Sequence, residues 1–529
     1  MKKIFKLFLA SLLMLGSVGC SNTTPQDDKQ DTTNNLVETE VLVIGGGGAG
    51  LAAAASAGEQ GAKVIVLEAN GLVGGSTLYS GGHMAMLHEE MNAAMERNDA
   101  DLEAYLNYEE ADFGEWAEAL TRLKQQVTDY LASNSTGRFD SVERMLVDHY
   151  LTGRGTDIDG IEVTQDYQLV KASLEANWDI FTWLQSGGME IENSFYKVHA
   201  NSPVNGGSGL VNALKELAAN AGAEIILNTR GTELILEDGR AVGVKAVDKE
   251  GSEIIYSATK GVILATGSFS SNGTMASEYQ RIGTGLTAEN GSTNPPTNKG
   301  DGILMAQSAG AQLLDMQFMS TVMQGYHGAS NLSQAGNITG NKQLVVNAEG
   351  VRYGDETKGT FTNLTNDQTS GLGFYIGDKT MVNAMNAKTE GFTTDMTERG
   401  FMFIADTIEE AAELAGLDAA VVKATVDTYN SYVENENDPE FGRSTFNGKV
   451  ENAPYVISKM EMHYHLTFGG LVIDEFAHVL DTNSNPINGL FAAGDILSGF
   501  EGKVHQSGDC LSVVVYSGKL AGESAANNK

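Results

Sequence analysis

The chain has 529 residues, too many for one ordinary hydrophobic core, which implies two domains or one large domain carrying an insertion. Its 69 Asp and Glu against 34 Lys and Arg leave a formal charge of −35, and a surface of that sign repels phosphate backbones, which argues against nucleic acid as a partner. Cys20 and Cys510 are the only cysteines, so no disulfide framework and no zinc-thiolate cluster is expected.

The first twenty residues, MKKIFKLFLASLLMLGSVGC, place Lys2, Lys3 and Lys6 before a short apolar run and a small residue before Cys20. That is the layout of an export signal, too short to span a bilayer, ending in a lipobox-like cysteine. Residues 1–20 are therefore expected to be a signal peptide with a lipobox, with Cys20 as the lipidated residue. Residues 21–36 are polar, without an apolar period, and read as a flexible tether. Such a chain is anchored outside the bacterial cell membrane by lipid alone.

The pattern changes at Val37. An apolar run, 41–44, meets a glycine cluster, an alanine-rich helical stretch and a second strand, 64–67, ending in Glu68. This is a parallel strand, turn, helix, strand unit. Residues 85–185, rich in Glu, Ala, Leu and Met, read as helices. One helix and a series of strands with turns at EDGR and DKEG follow, up to the ATG of residues 265–267. Residues 311–460 read as a separate lobe of mixed character, and 461–529 return to strand-like patterning that rejoins the first domain, 37–310.

Gly45, Gly47 and Gly50 stand in the order G-x-G-x-x-G directly between strand and helix. The first permits the tight turn, the second lets the backbone approach a pyrophosphate, and the third lets helix and strand pack closely. Glu68, at the tip of the second strand, is placed to accept hydrogen bonds from an adenosine ribose. GGSTLYSGG, at 74–82, and GLFAAGDI, at 489–496, bracket the chain with two further segments of the kind that flavin proteins bring onto FAD.

Together the glycine string, Glu68, Gly75-Ser76-Thr77, ATG at 265–267, KGDG at 299–302, TFGG and GLFAAGD resemble the flavoprotein family of fumarate reductase and succinate dehydrogenase, which also contains urocanate reductases and 3-ketosteroid dehydrogenases. The likeness covers about residues 37–525. It implies an α/β fold, a two-dinucleotide-binding (Rossmann-like) FAD domain with an inserted α+β capping domain, and catalysis where the two meet. It also implies a cofactor set of Gly45, Gly47, Gly50, Glu68, Gly75, Ser76, Thr77, Gly82, Thr266, Gly267, Gly494, Asp495, Ser512 and Val513. In this set Asp495 corresponds to the acid that holds the ribityl chain, and Ser512 and Val513 approach the flavin through their backbone. The chemistry implied is hydride exchange between the flavin and an electrophilic carbon.

The stretch MHYHLTFGGL, 462–471, holds two histidines. His465, with Thr467 and the glycine pair, matches the family's H-x-T-x-G-G, whose histidine binds a substrate carboxylate. His463 reads better as a residue of a strand end. No carboxylate or third histidine lies at helical or hairpin spacing from them, so no metal is expected. Elsewhere the chain departs from the family. In EGKVHQSG, 501–508, His505 stands in the place of a substrate-clamping arginine, and in EGVRYGDETKGT, 349–360, Thr360 stands in the place of the catalytic one. Arg352 matches a structural arginine of that segment, and Lys358 is a neighbour that cannot be assumed to substitute.

Without those arginines a dicarboxylate's second charge would stay unpaired in a closed site, at a cost on the order of several kcal/mol. The expected acceptor is therefore neutral or singly charged, held by His465, Thr467, Lys503 and His505, with His465, His505 and Tyr353 as catalytic candidates and Tyr326, His327 and Tyr464 as further proton donors. Three readings compete: an exported reductase of an activated double bond, a dehydrogenase of the ketosteroid type, and a binding lipoprotein that keeps FAD without catalysis. The sequence has no C-x-x-C-H haem attachment, so electrons are expected from an external donor, flavin-linked or membrane-linked.

Overall fold

The computed structural model describes residues 36–195, 199–324, 338–340, 342–505 and 508–528. The leader with Cys20, the tether up to residue 35, and Tyr326 and His327 lie outside the described residues. Strand β1, Leu36–Ile44, is a Val- and Ile-rich run whose second half is buried. It leads through the glycine turn into helix α1, Gly48–Glu59, and then into β2, Val64–Leu67. A central sheet is built on them. The strands Pro486–Ala492, Glu253–Leu264, β1, β2 and Glu224–Ile226 lie side by side, each parallel to the next. Burial on both faces explains why these strands are runs of Val, Ile and Leu rather than alternating patterns.

Alanine in α1 has a packing reason. The last helix, Asp509–Asn527, crosses α1 so closely that a Cβ on Gly518 would lie 2.4 Å from the Ala49 carbonyl oxygen, and one on Gly522 would lie 2.3 Å from that of Ala53. Backbones approach to this degree only through small residues, so the alanine and glycine pattern seats the C-terminal helix over the glycine turn. The helical region between the strands is as expected, with helices including Ala117–Ala132, Val142–Gly153 and Tyr167–Glu175.

The inserted lobe carries a second sheet. Its strands run in the order Met319–Gln324, Tyr455–Thr467, Leu372–Gly377, Leu344–Val346, with Met402–Ala405 also on Tyr455–Thr467, all antiparallel. One face, with Leu344, Val346, Phe374, Ile376 and Ile457, packs on the helices Ile408–Leu414 and Ala419–Glu434 in a core of its own. The alternate residues Val345, Tyr375, Val456, Met460, Met462 and Tyr464 join the main core, as the two-residue period of a strand requires. The boundary expected at 460 falls inside one continuous strand, Tyr455–Thr467. That strand delivers His463, His465 and Thr467 from the lobe to the edge of the parallel sheet, so the two parts meet along a rigid element rather than a linker.

Candidate active site

The carboxyl ends of the parallel strands converge on one groove. The turn after β1 gives Gly45, Gly47 and Gly48, the end of β2 gives Glu68, and the strand Glu253–Leu264 runs into Ala265, Thr266 and Gly267. Pro486–Ala492 runs into Ala493, Gly494 and Asp495, and Gly75, Ser76 and Thr77 close one side. The groove encloses about 740 Å³ of space, its open mouth included. Ligands of open parallel sheets bind at such strand ends.

The glycines differ in role as the sequence implies. A Cβ on Gly50 would sit 1.8 Å from the Gly45 carbonyl oxygen, so Gly50 is needed for packing of helix on turn. Gly45 has φ +107° and is pressed against Ala265. At Gly47 a Cβ would meet only the Gly75 Cα, at 4.0 Å, which leaves a slot between two backbones with no side chain in it. Gly47 also caps α1 without any side-chain hydrogen bond, so the first N–H groups of a twelve-residue helix point into that slot. An anionic pyrophosphate satisfies both the open N–H groups and the helix dipole. The Glu68 carboxylate, 5% exposed, accepts from Gly46 N at 2.7 Å on one oxygen and from Asn70 N and Nδ2 at 2.7 and 2.9 Å on the other. These bonds fix the carboxylate and leave lone pairs for ribose hydroxyls. Thr266 Oγ1 is buried at the groove with no hydrogen-bond partner among the described residues. The site therefore fits FAD: a side-chain-free slot for the phosphates, a fixed acid for the ribose, and a buried polar atom awaiting a partner.

The groove continues at Asp495 into a chamber of about 380 Å³ walled by Leu466, Thr467, Leu497, Glu501, Cys510 and Val513 among others. Burial, reinforced by Glu501 and partly offset by His505, pushes the Asp495 carboxyl up to about 6. His465 stands at the chamber's rim. Its Nδ1 is 2.6 Å from Thr293 Oγ1, and its ring centroid is 6.1 Å from that of His505. Burial, with the neighbouring His505 adding to it, lowers the pKa of His465 to about 4, so this imidazole is neutral at ordinary pH. Burial opposes charge on His505 as well, but Cys510 and Glu501 beside it outweigh that and raise its pKa. Thr467 Oγ1 is buried without a partner among the described residues.

Several expected residues are elsewhere. Tyr353 belongs to the inserted lobe, stacked on Phe361 with its hydroxyl 3.0 Å from Thr365 Oγ1. The structure does not bring it to the chamber, because that hydroxyl is turned into the lobe. Lys503 is exposed and lays its stem over Gly155, where a Cβ would meet Lys503 Cδ at 2.5 Å; it does not line the chamber. Gly82 does not line the groove: with φ +75° it lets the backbone of Gly206 approach, a Cβ there lying 2.5 Å from the Gly206 carbonyl carbon. Ser512 is fully buried and bonds the Ala85 and Gly508 carbonyls at 3.0 and 3.3 Å, so its side chain anchors the last helix. Tyr464 donates to the Thr287 carbonyl at 3.1 Å. His463 is buried inside the strand Tyr455–Thr467, not at its end as the sequence suggested, with Nε2 2.7 Å from Glu461 Oε1. Arg352 is consumed by a bidentate pair with Glu356 at 2.8 and 2.9 Å and by Asp438 at 2.9 Å.

Other residues were not signalled by any motif. Asn298 donates to Ser76 Oγ at 3.0 Å and steadies that wall of the groove. Buried His149, on the helix Val142–Gly153, faces the Phe500 carbonyl with Nε2 and Asp509 Oδ2, at 3.0 Å, with Nδ1. Both partners are acceptors only, so both nitrogens carry protons and the ring is charged. It holds the two ends of the segment that carries Glu501, His505 and Cys510.

The match to known proteins agrees with this geometry. Residues 40–511 match the family model described as FAD binding domain. The chain is 31% identical over 487 residues to an NADH:acrylate oxidoreductase of Vibrio harveyi, covering 89% of this chain but only 48% of that protein. It is 30% identical over 491 residues to a urocanate reductase of Eggerthella lenta, covering 89% of this chain and 72% of that protein. The structure of the open conformation of a flavocytochrome c3 fumarate reductase superimposes with a TM-score of 0.71 at 26% identity, over 92% of this chain and 78% of the other. With a groove that suits the cofactor and a family match across nearly all of the described chain, the protein belongs to the FAD binding domain family and FAD is its cofactor.

Proposed function

We propose that this protein is an exported, lipid-tethered reductase that saturates an activated carbon–carbon double bond of a small organic acceptor bearing at most one charge, with that acceptor serving as an extracellular sink for electrons. The observation that carries the reading is the chamber at the end of the FAD groove. Among the described residues no arginine or lysine lines it, and the polar rings beside it are neutral His465 and one cationic His505 rather than a bidentate clamp. A dicarboxylate would have to leave water for a wall that offers neither bidentate pairing nor full neutralisation. A conjugated acid, amide, ketone or heteroaromatic acrylate meets no such penalty. The names of the relatives, reductases of acrylate and of urocanate, support an acceptor with an activated double bond.

FAD, when bound, supplies the hydride. The protein's own part is to orient the acceptor and to exclude water. Thr293 fixes the His465 ring through Nδ1, leaving Nε2 to meet an acceptor oxygen. Because the ring is neutral, it polarises that oxygen by a hydrogen bond without adding charge to the site. Thr467 Oγ1, unpartnered and buried in the same wall, adds a second polar contact. Phe468, Leu466 and Phe500 shield the chamber. Lipidation at Cys20 fits a leader with three lysines before its apolar run, and the donor is an external carrier, flavin-linked or membrane-linked.

The test is an anaerobic acceptor screen with dithionite-reduced protein. Enoates, imidazole acrylates and enones are expected to restore the oxidised flavin spectrum at least ~10²-fold faster than fumarate, the size of effect that one misplaced buried charge produces. Fumarate as the best acceptor, or no acceptor at all, overturns the reading.

A further inference from the structure

Glu501, His505 and Cys510 come together at the end of the chamber with one ligand atom from each within 4.8 Å of the others. Nothing in the glycine-rich groove accounts for this set. Glu501 and Cys510 line the chamber itself, and His505 lies edge-on to His465 across it. His505 Nδ1 is 3.5 Å from Glu501 Oε2 and makes no hydrogen bond among the described residues. A charge-assisted hydrogen bond between these groups would close to about 2.7–2.9 Å. Two ligands of one tetrahedral zinc, with Zn–N near 2.05 Å and Zn–O near 2.1 Å, stand roughly 3.4 Å apart. The observed separation matches that of two ligands sharing an ion.

Cys510 suits the same role. It is the second residue of the last helix, where burial pushes the thiol's pKa up, so a thiolate there needs a cation beside it, with the open end of the helix dipole as a lesser aid. Thiolate, imidazole and carboxylate together neutralise a divalent cation to within one charge, and they select a borderline-soft ion over magnesium or calcium. His149 supports the arrangement from behind by gripping Phe500 and Asp509, the residues that directly precede the first and last ligands.

We infer that Glu501, His505 and Cys510 form a site for a divalent, thiolate-tolerant cation such as zinc, with its fourth position open to the chamber. Resting on the reading of the chamber as the acceptor site, the cation, its charge balanced by the thiolate and the carboxylate, takes one oxygen of the acceptor there and offers no clamp for a second charged group. Three protein ligands with one open position is the arrangement of catalytic rather than structural zinc. Spacing alone could not find it: Glu501 and His505 stand four apart but in a loop, and Cys510, on the last helix, is at no helical or hairpin spacing from them.

The experiment uses the FAD-loaded protein in a Cys20→Ser background, which leaves Cys510 as the single thiol. Metal content is measured by elemental mass spectrometry after zinc loading and desalting, and the rate of Cys510 alkylation is measured with zinc and with a chelator. Near-stoichiometric zinc is expected, with alkylation at least ~10-fold slower in zinc than in chelator, the change that a bound thiolate imposes. Cys510→Ser and His505→Gln are expected to lower zinc content at least ~10-fold while flavin content is unchanged. Zinc content no different in these variants, or alkylation indifferent to zinc, overturns the site and shows a plain His505–Glu501 ion pair beside a free thiol. Neither readout needs turnover, so failure of the metal site and failure of the acceptor screen are separate results.

Discussion

A methyl group is the smallest probe of the cofactor turn. At Gly50 it would land 1.8 Å from the Gly45 carbonyl oxygen, where backbone must move, and overpacking of this kind costs about 1–3 kcal/mol. Because the displaced atoms belong to the turn that receives the pyrophosphate, most of that cost falls on cofactor affinity. Gly50→Ala is expected to lower the flavin-to-protein absorbance ratio by about tenfold in subsaturating FAD, since about 1.4 kcal/mol is a factor of ten. An unchanged ratio would separate Gly50 from the binding turn. His465 gives a second residue-scale prediction, because its neutrality rather than its charge does the work. His465→Gln, which removes the imidazole at the chamber rim, is expected to lower kcat/KM for the acceptor about 10²-fold, with flavin content retained. The folded pKa of about 4 lies below the ordinary 6.5, so the neutral form persists down to that value. Acceptor reduction that depends on His465 is therefore level above roughly pH 5 and declines as the pH falls through about 4. A decline centred near 6.5 would show a solvated histidine instead.

At the scale of elements, the decisive contact is a clamp rather than a motif. The helix Val142–Gly153 offers His149 to both ends of the 500–509 segment, and the Gly153 carbonyl accepts from Lys503 N at 2.6 Å. Removing one partner of a buried pair costs about 3–5 kcal/mol, because the other is left charged and dry. His149→Asn is expected to lower the unfolding free energy obtained from urea titration by that amount and to raise the acceptor KM. In the double variant with Asp509→Asn the two losses should not add. Strictly additive losses would show that the two residues act apart. This clamp also marks the limit of what the sequence made legible. The G-x-G-x-x-G turn, Glu68, Thr266 and Asp495 could be read because each is fixed by a local pattern at the end of a strand. His463 and His465 stand two apart on one strand, where regular alternation would put them on one face; the irregular pairing between Tyr464 and Leu466, which leaves His465 as the extra residue, breaks that alternation and was not visible in the sequence. Tyr353 and Lys503 were drawn to the site by nearness to family motifs, which says nothing of side-chain direction; one hydroxyl turns to Thr365 and one stem lies over Gly155. His149 and Asp509 lie 360 positions apart, and the chamber wall of Glu501 and Cys510 bridges a loop and a helix. No periodicity connects such pairs, so only the folded chain shows them.

For the molecule as a whole, the charge of −35 works against compactness through self-repulsion that salt screens, whereas buried ion pairs escape that screening. His199 separates the two effects. Its Nδ1 is 2.9 Å from Asp140 and its Nε2 is 2.9 Å from Asp148, on the helical part of the main core. Burial opposes its charge, but the two carboxylates outweigh burial and push its pKa up to about 9 from the ordinary 6.5. The sign follows from proton counting. Between those values the folded protein holds a proton that the unfolded chain has released, so stability is complete below about pH 6.5 and drains away as the pH rises through about 9. The full loss is roughly 3 kcal/mol at most. Carboxylates are all ionised across this window, so the repulsive charge hardly changes and cannot produce the slope. Thermal unfolding followed from pH 6.5 to 9.5 at low and high salt is therefore expected to show Tm falling with pH at both, with salt raising the whole curve and leaving its slope in place. His199→Gln should reduce the slope by one proton's share, leaving the share of His149 and His505, whose pKa values are also raised, and should lower the starting Tm. A slope that vanishes in salt would assign the pH dependence to surface repulsion and remove His199 from the account.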